Sequence, residues 1–243
     1  MSGAPEWDRG VLIAANRATV YGTIGRWLMH DVRSPAQAIS LVGDLLDQPG
    51  TPPDSTLRDT LTAASARLNQ CLQLLDHALR AAPVPAEPGP VALAGVIEQI
   101  AALHAGNHAG VRLDATQAPV RSFPAVRGRE DQLAHALLNL VVNAHEAIVQ
   151  RGRGTIRLTG RVAEDGRTVT LVVEDDGPGT PAEIRDRLFE PFVTTKTGRP
   201  LAGLGLPVAR WLVEDCAGSV RHEPATQGAR FVVELATWRP SGG

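Results

Sequence analysis

The chain has 243 residues, 43% hydrophobic and 21% charged, with a formal net charge of −2. That is enough apolar material for one or two cores, and the near-neutral balance removes the electrostatic case for nucleic acid. No apolar run approaches the roughly 20 residues of a membrane span and the start MSGAPEWD lacks signal-peptide features, so no membrane partner and a cytoplasmic location are expected.

Val20, Ile24 and Trp27, then Ala38, Leu41 and Leu45, recur at steps of three and four, which predicts one amphipathic helix over roughly residues 8 to 47. Asp31 and Ser34 interrupt its stripe around His30. QPGTPPDS breaks the pattern, with Asp54 or Ser55 placed to cap a second helix. Leu57, Leu61, Ala64, Leu68, Cys71, Leu75 and Ala78 repeat the alternation along that helix to about residue 81. Residues 1–82 therefore read as a helical hairpin. Its apolar seam is too wide for one partner helix, and pairing with a second copy into a four-helix bundle buries it, so a homodimer is expected.

AAPVPAEPGP is Pro-rich, and residues 83–90 read as a semi-rigid linker to a second domain over residues 91–243. There VIEQIAALHA and DQLAHALLNLVVNAHEAIV have helical periodicity. GVRLDA, GTIRLTGRV, RTVTLVVED and ARFVVELA alternate as strands, and GLPVARWLVEDCAG reads as a further helix ending near Gly218. Strands outnumber helices and partly form hairpins, as at AEDGR. This predicts an α+β sandwich with helices on one face of a mixed sheet. Cys71 and Cys216 sit in apolar segments, without disulfide or metal-ligand spacing, and read as buried.

Asn139, Asn143 and Glu146 share one helix face, where an Asn carbonyl is a reasonable oxygen ligand for Mg²⁺; taken alone, the same side chains could cap or bridge to backbone. DDGPG, residues 175 to 179, ends an apolar strand with an acid and alternate glycines. Such a carboxylate can accept a hydrogen bond from an amino group such as that of adenine, although for the pentapeptide alone a simple tight turn is the favoured reading. AGLGL, residues 202 to 206, opens a helix with glycines and frees N–H groups for phosphate oxygens. Between the two loops LFEPFVTTKTGRP reads as a lid anchored by Phe189 and Phe192. It contains Lys196, the one lysine of the chain, a compact charge suited to a phosphate.

Taken together and in this order, these segments resemble the sensor histidine kinases, whose catalytic domains belong with the gyrase, Hsp90 and MutL ATPases. LMHDVRSPAQAI is similar to the family's H box, NLVVNAHEA to its N box, VVEDDGPG to its first glycine box and LFEPFVTTK to its F box. AGLGL resembles its second glycine box and QGARFVVEL the end of its last one. The resemblance spans roughly residues 20 to 237 and implies a Bergerat-type ATP-binding domain behind a dimerisation and phosphotransfer hairpin.

It also implies roles. His30 would take the γ-phosphoryl group of ATP as nucleophile, Asp31 would accept the released proton, and Ser34 would position a water for dephosphorylating the partner. Pro35 would bend the helix past that turn. Asn143 would hold Mg²⁺ with Asn139 and Glu146 beside it, and Asp175 with Gly177 and Gly179 would receive the adenine. His145, Lys196 and the backbone of Gly203, Leu204 and Gly205 would meet the phosphates. ATP and Mg²⁺ are thus the expected cofactors, and a response-regulator receiver domain is the expected partner. Related hydrolases carry a glutamate where this chain has Asn139, which favours transfer to histidine over hydrolysis.

Two positions depart from the family pattern: Leu201 stands where the second glycine box has glycine, and Ala217 precedes Gly218 in the last box. Only 29 residues precede His30, which points to a sensor on a separate protein, to a partner docked on the first helix, or to a truncated chain. The alternative function is a histidine phosphotransferase or relay scaffold with a degenerate nucleotide domain. An ATP-driven switch without phosphotransfer is the third reading. His77, His104, His108, His135 and His222 lack metal spacing and read as surface or hydrogen-bonded residues.

Overall fold

A computed structural model describes residues 8–46, 56, 59–65, 87–104, 110–115, 122–195 and 202–239; for residues 27–34, 43, 45 and 46 it describes the backbone only. The expected second helix beyond residue 65 and the linker before residue 87 lie outside the described residues. The chain divides into two compact units, one made of Met1–Val20 and Pro83–Gly243, the other of Tyr21–Ala82.

Helix α1 (Arg9–Leu46) is one unbroken helix of 38 residues that passes through Pro35, and its residues from Tyr21 onward belong to the smaller unit. A proline nitrogen cannot donate, so the carbonyl of Asp31, one residue past His30, gives up its helical partner there. Residues 59–65 form α2. Val42 and Ala64 are buried, whereas Leu41 of the predicted stripe is 59% exposed in the single chain.

The larger unit is built on a five-stranded sheet of order β2-β4-β5-β7-β6, comprising Val111–Asp114, Gly154–Val162, Thr168–Asp175, Arg230–Ala236 and Ser219–Glu223 respectively. β2 and β4 run parallel and the other neighbours antiparallel, so the sheet is mixed as expected. A separate antiparallel pair joins β1 (Gly89–Val91) to β3 (Val126–Gly128). Helices α3 (Leu93–Leu103), α4 (Glu130–Val149) and α5 (Gly205–Asp215) form the second layer. Within it α4 lies between α3 and α5 and against β4 and β5.

Strand parity places the key acid. Val169, Leu171, Val173 and Asp175 fall on one face of β5, all at most 4% exposed, so Asp175 is the last residue of a row that points into the helix layer. On the opposite face Glu174 and Arg230 are cross-strand partners and form an ion pair of 2.8 Å, extended by Arg230 to Glu223. Helix α4 is apolar on nearly every side, from Leu133 through Ile148, as a helix buried all round must be. Helix α5 ends in a Schellman turn: Ala217 N–H reaches Glu214 O and Gly218 N–H reaches Val213 O, with Ala217 at φ +55°. An alanine held in that region costs about 1 kcal/mol relative to glycine.

The first turns of α1 are part of this larger unit. Leu12, Asn16 and Val20 are its buried stripe, and the one polar member, Asn16, meets His135 of α4, with Nε2 3.0 Å from Asn16 Oδ1. An amide oxygen only accepts, so the ring proton sits on Nε2. Around this pair Arg17 faces Asp131, and Arg9 faces Glu214 and Asp215 while lying over the Trp211 ring. The ion pairs are partly exposed and contribute about 0.2–1 kcal/mol each, whereas stranding the buried imidazole N–H would cost about 1–3 kcal/mol. The buried pair therefore dominates the attachment.

Burial, and secondarily the Arg17 guanidinium, lower the His135 pKa from 6.5 to about 4. The folded state thus keeps His135 neutral while the unfolded chain protonates it. Stability is complete above pH 6.5 and falls by about 3 kcal/mol as pH drops to 4. Urea unfolding at stepped pH should show that loss. At neutral pH Asn16→Leu should destabilise by about 1–3 kcal/mol, with Asn16→Asp, which can still accept the N–H, retaining more.

Candidate functional site

The loop after β5 is shaped around Asp175. Its carboxylate is 4% exposed; Oδ1 accepts the Gly177 N–H at 2.8 Å, and its own N–H donates to Ala229 O at 3.0 Å. Burial raises the carboxyl pKa, and hydrogen bonds from the backbone of Gly177 and Ala229 oppose that rise without cancelling it. Three glycines make the arrangement possible. A Cβ on Gly177 would stand 2.7 Å from Asp175 Oδ1, Gly179 has φ +82°, and a side chain on Gly228 (φ +70°) would collide with Asp175 O. Asp176 turns away and caps β4 by accepting the Thr155 N–H at 2.9 Å.

Facing this loop, α4 presents Asn139, Asn143 and Glu146 on one side, as their spacing requires at 3.6 residues per turn. Asn139 is 2% exposed and its Nδ2 donates to His135 O at 3.0 Å. Its Oδ1 is buried without a hydrogen-bond partner among the described residues, and a Cβ on Gly205 would lie 3.3 Å from it. The oxygen therefore looks at the first residue of α5. Asn143 and Glu146 are half-buried. His145 points elsewhere: it is buried, and its Nδ1 lies 3.1 Å from His104 Nε2 of the turn after α3, the rings meeting edge to face. Only one of those two nitrogens can carry the shared proton, so His145 is bound into the core beneath the Asn face.

The start of α5 completes the enclosure. Leu204 is buried, and by helix geometry the N–H groups of Gly205 and Leu206 have no intrahelical acceptor. Gly203 (φ +82°) accepts the Phe192 N–H at 3.1 Å; Phe192 itself sits at φ +65°, and a Cβ on Gly203 would come within 2.7 Å of the Phe192 carbonyl carbon. Phe192, inside the predicted lid, is thus joined to the turn that opens α5. Phe189 anchors it more deeply, covered by the Arg210 guanidinium at 3.7 Å and edge-on to Phe231. Lys196 and Leu201 lie outside the described residues. The side chains of His30, Asp31 and Ser34 do too, although their backbone is helical within α1.

These features suit a nucleotide and a hard cation. An unpartnered amide oxygen with a second amide and a carboxylate on the same face matches the oxygen preference of Mg²⁺, and the glycine-lined loop leaves backbone open to a flat base. Among the described residues no three or more His, Cys, Asp or Glu side chains are grouped to hold a metal ion. Sequence reading did not single out Gly228, Arg151, Gln227 or the His104 partner of His145. For Gly228 the signal was present, a glycine immediately before the alternating strand ARFVVELA.

Residues 128–239 match the family described as histidine kinase-, DNA gyrase B-, and HSP90-like ATPase, and this stretch has the fold of such a domain. Over 92% of its length the chain is 30% identical to the C4-dicarboxylate transport sensor protein DctB of Rhizobium meliloti. Over 96% it is 29% identical to the sensory histidine kinase/phosphatase NtrB of Rhizobium leguminosarum bv. phaseoli. It spans 36% and 62% of those proteins respectively. Among solved structures, the nucleotide-free catalytic domain of histidine kinase ThkA matches 63% of this chain and 97% of its own, with TM-score 0.53 and 26% identity. Full-length ShkA in complex with AMPPNP matches 90% of this chain and 47% of its own, also with TM-score 0.53 and 26% identity.

The close approach at Gly228 gives a direct test of the loop. Gly228→Ala should destabilise the chain by more than about 2 kcal/mol in urea denaturation, because backbone rather than a flexible side chain stands in the way. Gly166→Ala, at a hairpin turn with φ +64° and open space, should cost less.

Proposed function

We propose that the chain is an ATP-dependent protein histidine kinase that phosphorylates itself on His30 and passes the group to an aspartate of a response-regulator receiver domain. Its relatives' names and the ATP-binding domain support the reading, and the observation that carries it is Asn139. The buried position facing the start of α5 holds an amide rather than a carboxylate, so the site lacks there a base to activate water. In the proposed step an unprotonated His30 nitrogen attacks the γ-phosphorus, the bond to the β–γ bridging oxygen breaks and ADP leaves. Asp31 takes the ring proton. The receiver's carboxylate then attacks the phosphorus and the P–N bond breaks; Ser34 serves the later hydrolysis.

Asn143, with Asn139 and Glu146 beside it, would hold Mg²⁺, which supplies charge neutralisation on the phosphates. Asp175 accepts the adenine 6-amino hydrogen bond, and the N–H groups near Gly203, Leu204 and Gly205 together with Lys196 bind phosphate oxygens. In this reading residues 1–82 carry the phosphotransfer hairpin, with Met1–Val20 grouped with the larger unit, and residues 83–90, which already include the start of β1 at Gly89, join it to a catalytic domain over residues 91–243. Two copies pair through the hairpin, an arrangement that would cover the exposed Leu41. A cytoplasmic location belongs to this reading; no described helix is long and apolar enough to cross a membrane.

Incubation with γ-labelled ATP and Mg²⁺ should give label that is lost in acid, kept in base, and absent from His30→Gln. A folded chain that takes no label would favour the relay reading instead. Asp175 gives an independent test. Its raised pKa means that the folded state holds a proton to higher pH than the unfolded chain, so stability falls as pH rises from the ordinary 3.8 through the raised value. Asp175→Asn should therefore melt higher without nucleotide at neutral pH yet bind ATP at least about 10-fold more weakly. Wild-type affinity should decline as pH is lowered toward the raised value, where the acceptor becomes protonated.

A further inference from the structure

The loop from Asp175 to Gly179 contains two glycines and a proline, so its own backbone does little to hold it. Two side chains from other elements do. Arg151, just past the end of α4, donates from Nη1 to Asp176 O at 2.7 Å and to Gly177 O at 3.1 Å. Gln227, in the turn between β6 and β7, donates to Asp176 O at 3.0 Å. Charged donors make the stronger bonds, and Arg151 alone reaches the Gly177 carbonyl among the bonds described. The N–H of that same glycine is the group that orients Asp175 Oδ1.

We infer that Arg151 is a positioning residue for base recognition: by holding the Asp176 and Gly177 carbonyls it fixes the Gly177 N–H, and through it the direction of the Asp175 carboxylate. This rests on the adenine-reading role proposed for Asp175. The residue also ties the end of the helix that carries Asn139 and Asn143 to the loop that receives the base, so the two ends of the site are set relative to each other. Arg151 is exposed, and its loss should act on the loop rather than on the core.

A merely structural contact would weaken all nucleotides alike, whereas a misdirected Asp175 loses only what it contributes to the 6-amino group. The test is calorimetric titration of the full chain with Mg²⁺-ADP and Mg²⁺-IDP, the second carrying a carbonyl in place of the amino group. Arg151→Ala should weaken ADP about 10-fold and IDP less than about 2-fold, so that the preference for ADP shrinks, and Arg151→Lys should restore part of it. Unchanged ADP affinity, or an equal fall for both diphosphates, overturns the inference. Gln227→Ala keeps the Arg151 bonds and should alter the ratio less; a larger change would assign the role to Gln227 instead. If Arg151→Ala does not fold, Arg151→Lys and Arg151→Gln carry the same comparison. A wild-type chain that binds neither diphosphate, or binds both equally, overturns the reading of Asp175 and with it the inference; a wild-type preference for ADP that Arg151→Ala leaves intact overturns the inference alone.

Discussion

Asp175 ends the inward row of β5, and its carboxylate lies among apolar side chains where an ionised group is costly. Backbone N–H groups from Gly177 and Ala229 reduce that cost, and they can approach only because Gly177 and Gly228 have no side chains. The rest of the site depends on this constraint. The turn must bend sharply, β7 must begin directly beside it, and α4 must pass over it to close the core. A buried acid with a raised pKa weakens the free fold, and this supports the recognition role proposed for Asp175.

Helix α4 connects the parts. Its burial on nearly all sides leaves a single polar face, which carries the asparagines toward the start of α5. One end is attached to the first turns of α1 by a buried Asn16–His135 hydrogen bond, and past the other end Arg151 reaches back to the loop after β5. Polar groups inside apolar interfaces permit few alternative registers, since each slip would leave a donor or acceptor unpaired.

The chain by itself determined its elements and the order of its chemistry. Period-two alternation in RTVTLVVED places both the strand and its terminal acid, and three-four periodicity gives α1, α4 and α5 nearly to the residue. Strand β6 was not legible, because SVRHE buries only Val220 and carries charges on both sides. The three-residue strands β1 and β3 are too short to show a period.

Tertiary structure decided what lies far apart in sequence. Only folding shows that His145 faces His104 rather than the Asn face, that Asn16 reaches His135 across 119 positions, or that Gly228 exists to admit a carbonyl from Asp175. Local periodicity reports which side of an element is apolar, since that is set by the element's own geometry. Partner choice, the unpaired state of Asn139 Oδ1 and the shift of the Asp175 proton depend on neighbours brought together by packing, and no local pattern encodes them.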